Sequence, residues 1–271
     1  MANGQTFTGS GQANGLWLVL LFGFLDSLLP MPATSLAHIS VVMPALNEQE
    51  GIQAVLHDLN KLGVGQVIVV NDASGDQTGP VAEALGATVL NLPVRLGAWG
   101  ATQAGIRYAL RQGADIVVSM DADGQHLAES IPELIQPLKL GKANVVIGCN
   151  PERASTIRRF AWRWIKATSG LSLEDITSGF RAYDHHAIRK LAGWNASLVD
   201  YQDVGVLLLL QRHKLSVIDV PVPMQKRCHG KSRIFHNWGI VAYYMAHTLL
   251  LGFCKRNRWR SNAALHMPRQ P

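Results

Sequence analysis

Two carboxylates, Asp121 and Asp123, stand two positions apart directly after the apolar run from Ile116 to Met120. A strand over that run would deliver both side chains to the turn at its end, where a hard divalent cation and diphosphate oxygens can meet. A cation held there would stabilise a leaving nucleoside diphosphate. An Asp-x-Asp pair also fits a solvated turn or a helix cap, so its place after a buried strand is what favours the metal site.

Two further polar turns follow apolar, β-branched runs. The first reads Pro44-Ala-Leu-Asn-Glu48, and the second reads Asp72-Ala-Ser-Gly-Asp76. Asp72 can accept hydrogen bonds from a nucleobase or a ribose, while Ser74 to Asp76 suit a tight turn and a helix cap. Each turn taken alone also fits ordinary turn or helix N-terminus chemistry. Together they place three polar turns at the strand ends, where ligands bind in open α/β sheets.

The elements that must position these turns alternate short β-branched runs with amphipathic stretches, which predicts a wound α/β sheet flanked by helices. The predicted strands are 39–43, 66–71, 87–91, 116–120, 145–148 and 217–220. The predicted helices are 48–62, 77–85, 98–111 and 130–140, with a further apolar helix over 204–210. Ser130 is the expected N-cap of the fourth helix, with Pro132 in its first turn.

Composition limits the choice of partners and compartment. The chain of 271 residues has a formal charge of +6, which indicates an anionic partner such as nucleic acid, a membrane surface or a phosphorylated substrate. Three separated cysteines without histidines at zinc-ligand spacing favour a reducing compartment. No lysine precedes Lys61 and no arginine precedes Arg95, so no secretory signal is indicated and a cytoplasmic location is expected.

Two uncharged apolar runs bear on the membrane. Residues 16–25 are too short for a complete span, since ten helical residues reach only about 15 Å. Residues 238–253 are followed at once by basic residues, a pattern that suits either a helix on an anionic cytoplasmic leaflet or a core helix with a solvated basic end. The expected organisation is an extension over 1–37, a catalytic domain over 38–233, an apolar or amphipathic C-terminal helix over 234–260 and a tail over 261–271.

Five motifs in chain order resemble those of family 2 glycosyltransferases with the GT-A fold, most closely the branch that makes dolichol- or polyprenyl-phosphate sugars. They cover Ile39 to about Arg233 and comprise Pro44 to Glu48, Asn71 to Thr78, Asp121 to His126, Thr177 to Arg181 and Arg227 to Arg233. The resemblance implies a GT-A mixed sheet and transfer of a hexose from GDP-mannose or a UDP-hexose with inversion. It also implies Mg²⁺ or Mn²⁺ as the cofactor.

The resemblance assigns site residues position by position. It implies nucleoside contacts from Pro44, Leu46, Glu48, Val70 and Asp72. It implies that Asp121, Ala122, Asp123 and Gln125 hold the metal and diphosphate, and that Arg227 and Arg233 approach the phosphates. This sequence departs from the family pattern where Leu46 replaces an aromatic residue, Asn71 an aspartate and Arg233 a lysine. Gly148-Cys149-Asn150 stands where the branch often has Gly-Ser-Arg.

The acceptor divides two hypotheses. A hydroxyl nucleophile needs a general base, whereas a phosphate oxygen is already ionised at neutral pH and needs cationic groups around it. Polyprenyl phosphate is the expected acceptor, with Arg153, Arg159 and Arg181 as candidate ligands at a membrane surface. The alternative is a glycan hydroxyl with Asp203 as the base, although Asp203 also fits a helix cap.

Other functional classes fit less well. Gly230-Lys231-Ser232 lacks the earlier glycine of a phosphate-binding P-loop, and no dinucleotide-binding glycine motif follows the first strand. Nucleic-acid binding would require stacking aromatics on a basic face and no acidic cleft, and a non-enzymatic scaffold would not require the intact Asp121 and Asp123. An enzyme that does not bind nucleic acid is therefore expected.

Overall fold

The computed structural model describes residues 36–150, 173–175, 178–198 and 204–225. The chain divides into compact units of residues 1–35 and 36–271, and all described residues belong to the second. Within these ranges no helix is long and apolar enough to cross a bilayer. The apolar runs at 16–25 and 238–253 lie outside the described residues.

A seven-stranded mixed sheet organises the described residues, with the strand order β3-β2-β1-β4-β6-β5-β7. All neighbours pair in parallel except β6, which is antiparallel to both β4 and β5. The strands are β1 Ile39–Ala45, β2 Gln66–Asn71, β3 Thr88–Asn91, β4 Ile116–Ser119, β5 Val145–Cys149, β6 Arg181–Asp184 and β7 Val217–Pro221. The carboxyl ends of β1, β2 and β4 therefore meet at one edge.

Helices cover both faces of this sheet. They are α1 Gly51–Leu62, α2 Thr78–Ala84, α3 Gly97–Arg111, α4 Ile131–Lys139, α5 His185–Leu191, α6 Trp194–Ser197 and α7 Val204–Arg212. Successive side chains along each strand point to opposite faces of the sheet, where they pack into two hydrophobic cores. Val41 and Met43 pack in the core beneath α1, α2 and α4, whereas Val42 packs in the core beneath α3, α5, α6 and α7.

The six predicted strands and five predicted helices are all present, with ends that differ by up to three residues. The sequence pattern did not indicate β6, α5 or α6. Ser130 does precede α4, but its backbone is helical and its side chain makes no capping hydrogen bond, because a 3₁₀ turn over Ala128–Ser130 leads into the helix. Ser130 therefore lies directly before α4 as predicted, but the prediction that its side chain caps the helix is wrong.

Helix α3 approaches the sheet closely through Gly105. A Cβ atom at this position would lie 2.4 Å from Val42 Cγ1 and 3.0 Å from Val70 Cγ2. Both neighbours are fully buried strand residues, so they have little room to move. Glycine here sets the distance between α3 and the strands that end in the polar turns.

Gly105→Ala is expected to lower the free energy of unfolding by about 1 to 2 kcal/mol. Overpacking costs about 1 to 3 kcal/mol, and the better helix propensity of alanine recovers at most about 1 kcal/mol. Urea unfolding followed by circular dichroism measures the change. Gly75→Ala is the control, since no atom lies within 4 Å of a Cβ there. Equal stability of the two variants would contradict the close approach.

Candidate active site

The carboxylate of Asp121 lies against the backbone of Gly179. A Cβ atom at position 179 would come within 2.9 Å of both Asp121 carboxylate oxygens. The side chain of Ser119, at the end of β4, donates a hydrogen bond of 2.8 Å to the Gly179 carbonyl and fixes this segment beside the turn. The Asp121 side chain is still 45% exposed, so an approaching ligand can reach it.

The imidazole of His126 holds the same turn in place. Its Nδ1 accepts a hydrogen bond of 3.1 Å from the backbone N–H of Asp121, which places the proton of a neutral ring on Nε2. That nitrogen is 3.9 Å from Asp121 Oδ2, and the ring stacks on Phe180 at a centroid distance of 5.0 Å. His126 and Gly179 appear in the sequence motifs without an assigned role. The five-residue spacing between Asp121 and His126 is the sequence signal that could have indicated a turn in which the imidazole contacts the Asp121 backbone.

Asp123 is nearly buried, with 9% of its surface exposed. Its Oδ1 accepts the backbone N–H of Gln125 at 3.0 Å, and its Oδ2 accepts the side-chain amide of Gln125 at 2.9 Å. Gln125 thus holds the Asp123 carboxylate in one orientation. The chain after β7 also returns to this turn, since the Gln225 N–H donates to the Gln125 carbonyl at 2.9 Å.

The turns after β1 and β2 are joined by hydrogen bonds in both directions. Asn47, in a left-handed conformation with φ of 50°, accepts the Gly75 N–H at 2.8 Å and donates its own N–H to Ser74 Oγ at 3.0 Å. The N–H of Glu48 donates to Thr78 Oγ1 at 2.9 Å. The two turns therefore form one fixed edge beside the aspartate pair.

Asp76 holds the α2 side of this edge. Its carboxylate accepts hydrogen bonds from the Thr78 N–H and hydroxyl and from the Gln49 N–H. Partial burial raises the pKa of the Asp76 carboxyl, but these hydrogen bonds outweigh it and hold the pKa below its usual value. The capping role expected for Asp76 is confirmed by these contacts.

Asp72 is almost fully buried, and its carboxylate supports the loop that leads into α3. Its two oxygens accept the backbone N–H groups of Leu96 at 2.6 Å and Gly97 at 2.9 Å. These donors belong to the start of α3, where an acidic side chain is stabilising. The structure thus gives Asp72 a positioning role, and its direct contact with a nucleoside stays a prediction.

The other predicted site residues divide by burial. Pro44, Leu46 and Glu48 are partly exposed at the strand-end edge, and the buried Ala122 lies between the two aspartates. Val70 and Arg181 are fully buried; Val70 belongs to the core beneath α3, and Arg181 Nε donates to the Ser178 carbonyl at 2.8 Å. Their side chains therefore lie inside the fold rather than on its surface. The predicted residues outside the described ranges are Arg153, Arg159, Asp203, Arg227 and Arg233.

Cys149, at the end of β5, lies in an acidic environment. Its thiol and the carboxylates of Glu174 and Asp219 offer ligand atoms within 4.8 Å of one another. However, burial and the negative charges of Asp219, Glu174 and Asp175 raise the pKa of the thiol to about 11, which keeps it protonated at neutral pH.

The family model described as glycosyl transferase family 2 matches residues 40–192, which include the β1, β2 and β4 turns and Gly179. This chain belongs to that family. The glycosyltransferase is also 27% identical over 215 residues to polyprenol monophosphomannose synthase of Mycolicibacterium smegmatis, covering 72% of this chain and 80% of the relative. It is 28% identical over 233 residues to undecaprenyl-phosphate mannosyltransferase of Micrococcus luteus, covering 79% and 94%.

Among solved structures, this glycosyltransferase is similar to glucosyl-3-phosphoglycerate synthase from Mycobacterium tuberculosis in complex with Mn²⁺, UDP-glucose and phosphoglyceric acid. The TM-score is 0.61 at 26% identity, and the match covers 79% of each chain. The predicted GT-A fold is thereby confirmed. Related structures of that synthase contain Mn²⁺ or Mg²⁺ with UDP.

The aspartate pair of this glycosyltransferase fits a divalent cation. Carboxylate oxygens are the ligands that Mg²⁺ and Mn²⁺ prefer, and the glycine at position 179 leaves room for the Asp121 carboxylate. Asp121 and Asp123 would hold the ion, with Gln125 orienting the second carboxylate.

Gly179→Ala is expected to displace the Asp121 carboxylate and to weaken binding of Mn²⁺ with UDP by at least about tenfold, a change of about 1.4 kcal/mol. Calorimetric titration of the folded variant measures this loss without turnover. Asp58→Asn, on the exposed side of α1 and outside the strand-end turns, is the control. Unchanged binding by the Gly179 variant would rule out the Asp121 position described here.

Asp76→Asn is expected to destabilise the protein at pH 7, and the deficit should shrink as the pH falls below 4. A carboxyl with a lowered folded-state pKa contributes stability above its unfolded pKa and loses it as the pH falls through the folded value. Urea unfolding across this pH range tests the trend, with Asp58→Asn on the exposed side of α1 as the control. A deficit independent of pH would mean that the charge of Asp76 does not contribute.

Proposed function

We propose that this glycosyltransferase transfers a hexose from a nucleotide sugar, GDP-mannose or a UDP-hexose, to a polyprenyl phosphate with inversion at the cytoplasmic face of a membrane. The observation that carries the proposal is the oriented carboxylate pair of Asp121 and Asp123 at the strand-end edge of a family 2 chain. The two named relatives that act on polyprenol or undecaprenyl phosphate support the acceptor.

The donor would lie across the edge formed by the turns after β1, β2 and β4. Pro44, Leu46 and Glu48 would contact the nucleoside, and the Asp72 carboxylate would act through the loop at Leu96 and Gly97. Mg²⁺ or Mn²⁺ bound by Asp121 and Asp123 would neutralise charge on the departing nucleoside diphosphate. Because hydrogen bonds already hold these turns, they would lose little conformational entropy when the donor binds.

The described part of the chain after β7 ends at Gln225, beside the turn of the aspartate pair. Gln225 is hydrogen-bonded to Gln125, and Arg227 follows two residues later, a reach of about 7 Å along the chain. We assign Arg227, and Arg233 beyond it, to the donor phosphates. The bond from the anomeric carbon to the diphosphate oxygen would break as a bond to the acceptor phosphate oxygen forms on the opposite face of the sugar.

The acceptor phosphate needs cations rather than a base, because it is ionised at neutral pH. The end of β5 is unsuited to hold it, since Glu174, Asp175 and Asp219 surround Cys149 with negative charge. The phosphate would therefore lie away from Cys149, and Arg153 and Arg159 are the assigned ligands. Arg181, being fully buried, would instead support the Ser178 carbonyl and the adjoining Gly179.

The acceptor is tested by incubating the full chain with Mn²⁺, GDP-mannose or UDP-hexoses and short-chain polyprenyl phosphate. A lipid-linked sugar is the expected product, detected by mass spectrometry. Parallel reactions contain oligosaccharides in place of the lipid. Transfer to a saccharide with no lipid product would overturn the polyprenyl acceptor and favour a hydroxyl acceptor with Asp203 as its base.

Asp121→Asn and Asp123→Asn are each expected to lower kcat/KM for sugar transfer by at least about a hundredfold, a loss of about 2.7 kcal/mol of transition-state stabilisation. Both amides keep the size of the carboxylate while removing its charge. Asp58→Asn is the matched control. Near-normal turnover by a folded Asp123→Asn variant would eliminate a cation at this pair.

A further inference from the structure

The two helix layers of the sheet differ in charge. The layer of α1, α2 and α4 and its turns carries acidic residues that outnumber its lysines. Those acidic residues are Glu48, Glu50, Asp58, Asp76, Glu83, Glu129 and Glu133, against Lys61, Lys139 and Lys142. In the opposite layer, the helices α3, α5, α6 and α7 contain no aspartate or glutamate.

That second layer, formed by α3, α5, α6 and α7, is called the basic face here. Its exposed cations are Arg95, Arg111, Arg189, Lys190, Arg212 and Lys214. They come from several elements of one layer, and α5 and α7 are neighbours because Ile188 and Leu210 pack in the same hydrophobic core. Burial and the positive charges of Lys190 on α5 and Arg212 on α7 lower the pKa of His213, as expected for neighbouring helices that both carry cations.

Two acidic residues lie at the margin of this surface. Asp115 directly precedes β4, and Asp184 directly precedes α5. Both lie at the edge of the sheet opposite the Asp121 turn. The Asp184 carboxylate accepts hydrogen bonds from the Ala187 N–H at 2.8 Å and from the Asn144 side chain at 2.7 Å. Its charge is thus directed to the start of α5.

Large apolar side chains are exposed at the other end of the basic face. Trp194 is 75% exposed and Leu198 is 71% exposed, while Leu96 is 52% exposed beside Arg95. Two contacts locate them near the active-site edge. The Leu96 N–H donates to Asp72, and the Trp99 indole donates to the Ala196 carbonyl at 2.8 Å, which joins α6 to the first turn of α3.

We propose that the basic face docks on an anionic lipid bilayer, with Trp194, Leu198 and Leu96 in the headgroup region. Surface cations are attracted to anionic lipid, and exposed tryptophan and leucine on the same layer suit the boundary between headgroups and acyl chains. The identification of a membrane as the partner rests on the proposed lipid acceptor. Docking in this orientation leaves the active-site edge next to the bilayer, where a polyprenyl phosphate resides.

Lysine acetylation footprinting of the full chain tests the orientation without turnover. With vesicles of phosphatidylcholine and phosphatidylglycerol, acetylation of Lys190 and Lys214 should slow by at least about fivefold relative to vesicles of phosphatidylcholine alone. Lys139 and Lys142, exposed on the acidic layer, should react at unchanged rates. Equal reactivity of Lys190 and Lys214 with both kinds of vesicle would overturn the proposal.

Charge and apolar contacts are separated by paired variants in vesicle flotation. Arg189→Gln with Lys190→Gln should weaken partitioning to anionic vesicles by about 30-fold, from about fivefold for each surface cation, whereas Lys139→Gln with Lys142→Gln should not. Leu198→Ala should weaken it severalfold, whereas Leu140→Ala, on a 58% exposed leucine of the acidic layer, should not. Equal losses in each matched pair would show that docking does not use the basic face.

These outcomes are distinguishable from those of the transfer reaction. Protection of Lys190 without a lipid-linked product would support the docking surface and overturn the polyprenyl acceptor. A lipid-linked product without protection of Lys190 would support the acceptor and overturn the docking surface. Equal protection by RNA and by anionic vesicles would replace the bilayer with a general polyanion.

Discussion

The approach of the Asp121 carboxylate to the Gly179 backbone is the contact on which the site depends. It requires an antiparallel strand beside β4, because only β6 brings position 179 to the carboxyl end of that strand. Three neighbouring residues support this contact. Gly148 leaves space for the Phe180 ring, Phe180 stacks on His126, and His126 accepts the Asp121 N–H. If this strand were parallel to β4, the residues that precede it, including Gly179, would lie at the opposite edge of the sheet.

The remaining site is built largely from backbone groups. Asn47 enters the left-handed region, where asparagine is favoured among side-chain-bearing residues, and exchanges hydrogen bonds with Ser74 and Gly75. Asp72 supports the loop before α3 in the same way, through two main-chain donors. Since these main-chain donors have defined acceptors, the edge is organised before a ligand binds. This organisation favours rapid, specific binding of the rigid nucleotide part of a donor.

The sequence allowed prediction of much of the sheet because buried parallel strands appear as short apolar, β-branched runs. It did not indicate β6, whose Arg181-Ala-Tyr-Asp184 segment is short, begins and ends with a charged residue and contains a buried arginine. It located Asp121 and Asp123 through the preceding strand, but it could not show that Gln125 and His126 orient them. Those roles depend on the turn conformation, including Gly124 with φ of 75°. The burial of Val70 and Arg181 follows from tertiary packing that motif matching does not contain.

The separation of charge between the two faces is compatible with a metal site at their shared edge. Helices on opposite faces of a sheet lie about 20 Å apart, since each layer adds about 10 Å. The Debye length at physiological ionic strength is about 8 Å, so the field of the basic face is largely screened before it reaches the acidic layer. Glu48 and Asp76 lie at the turns beside the aspartate pair, whereas Arg189 and Lys190 lie on the opposite helix layer. The two helix layers can therefore carry opposite charge, because the sheet separates them by more than two Debye lengths.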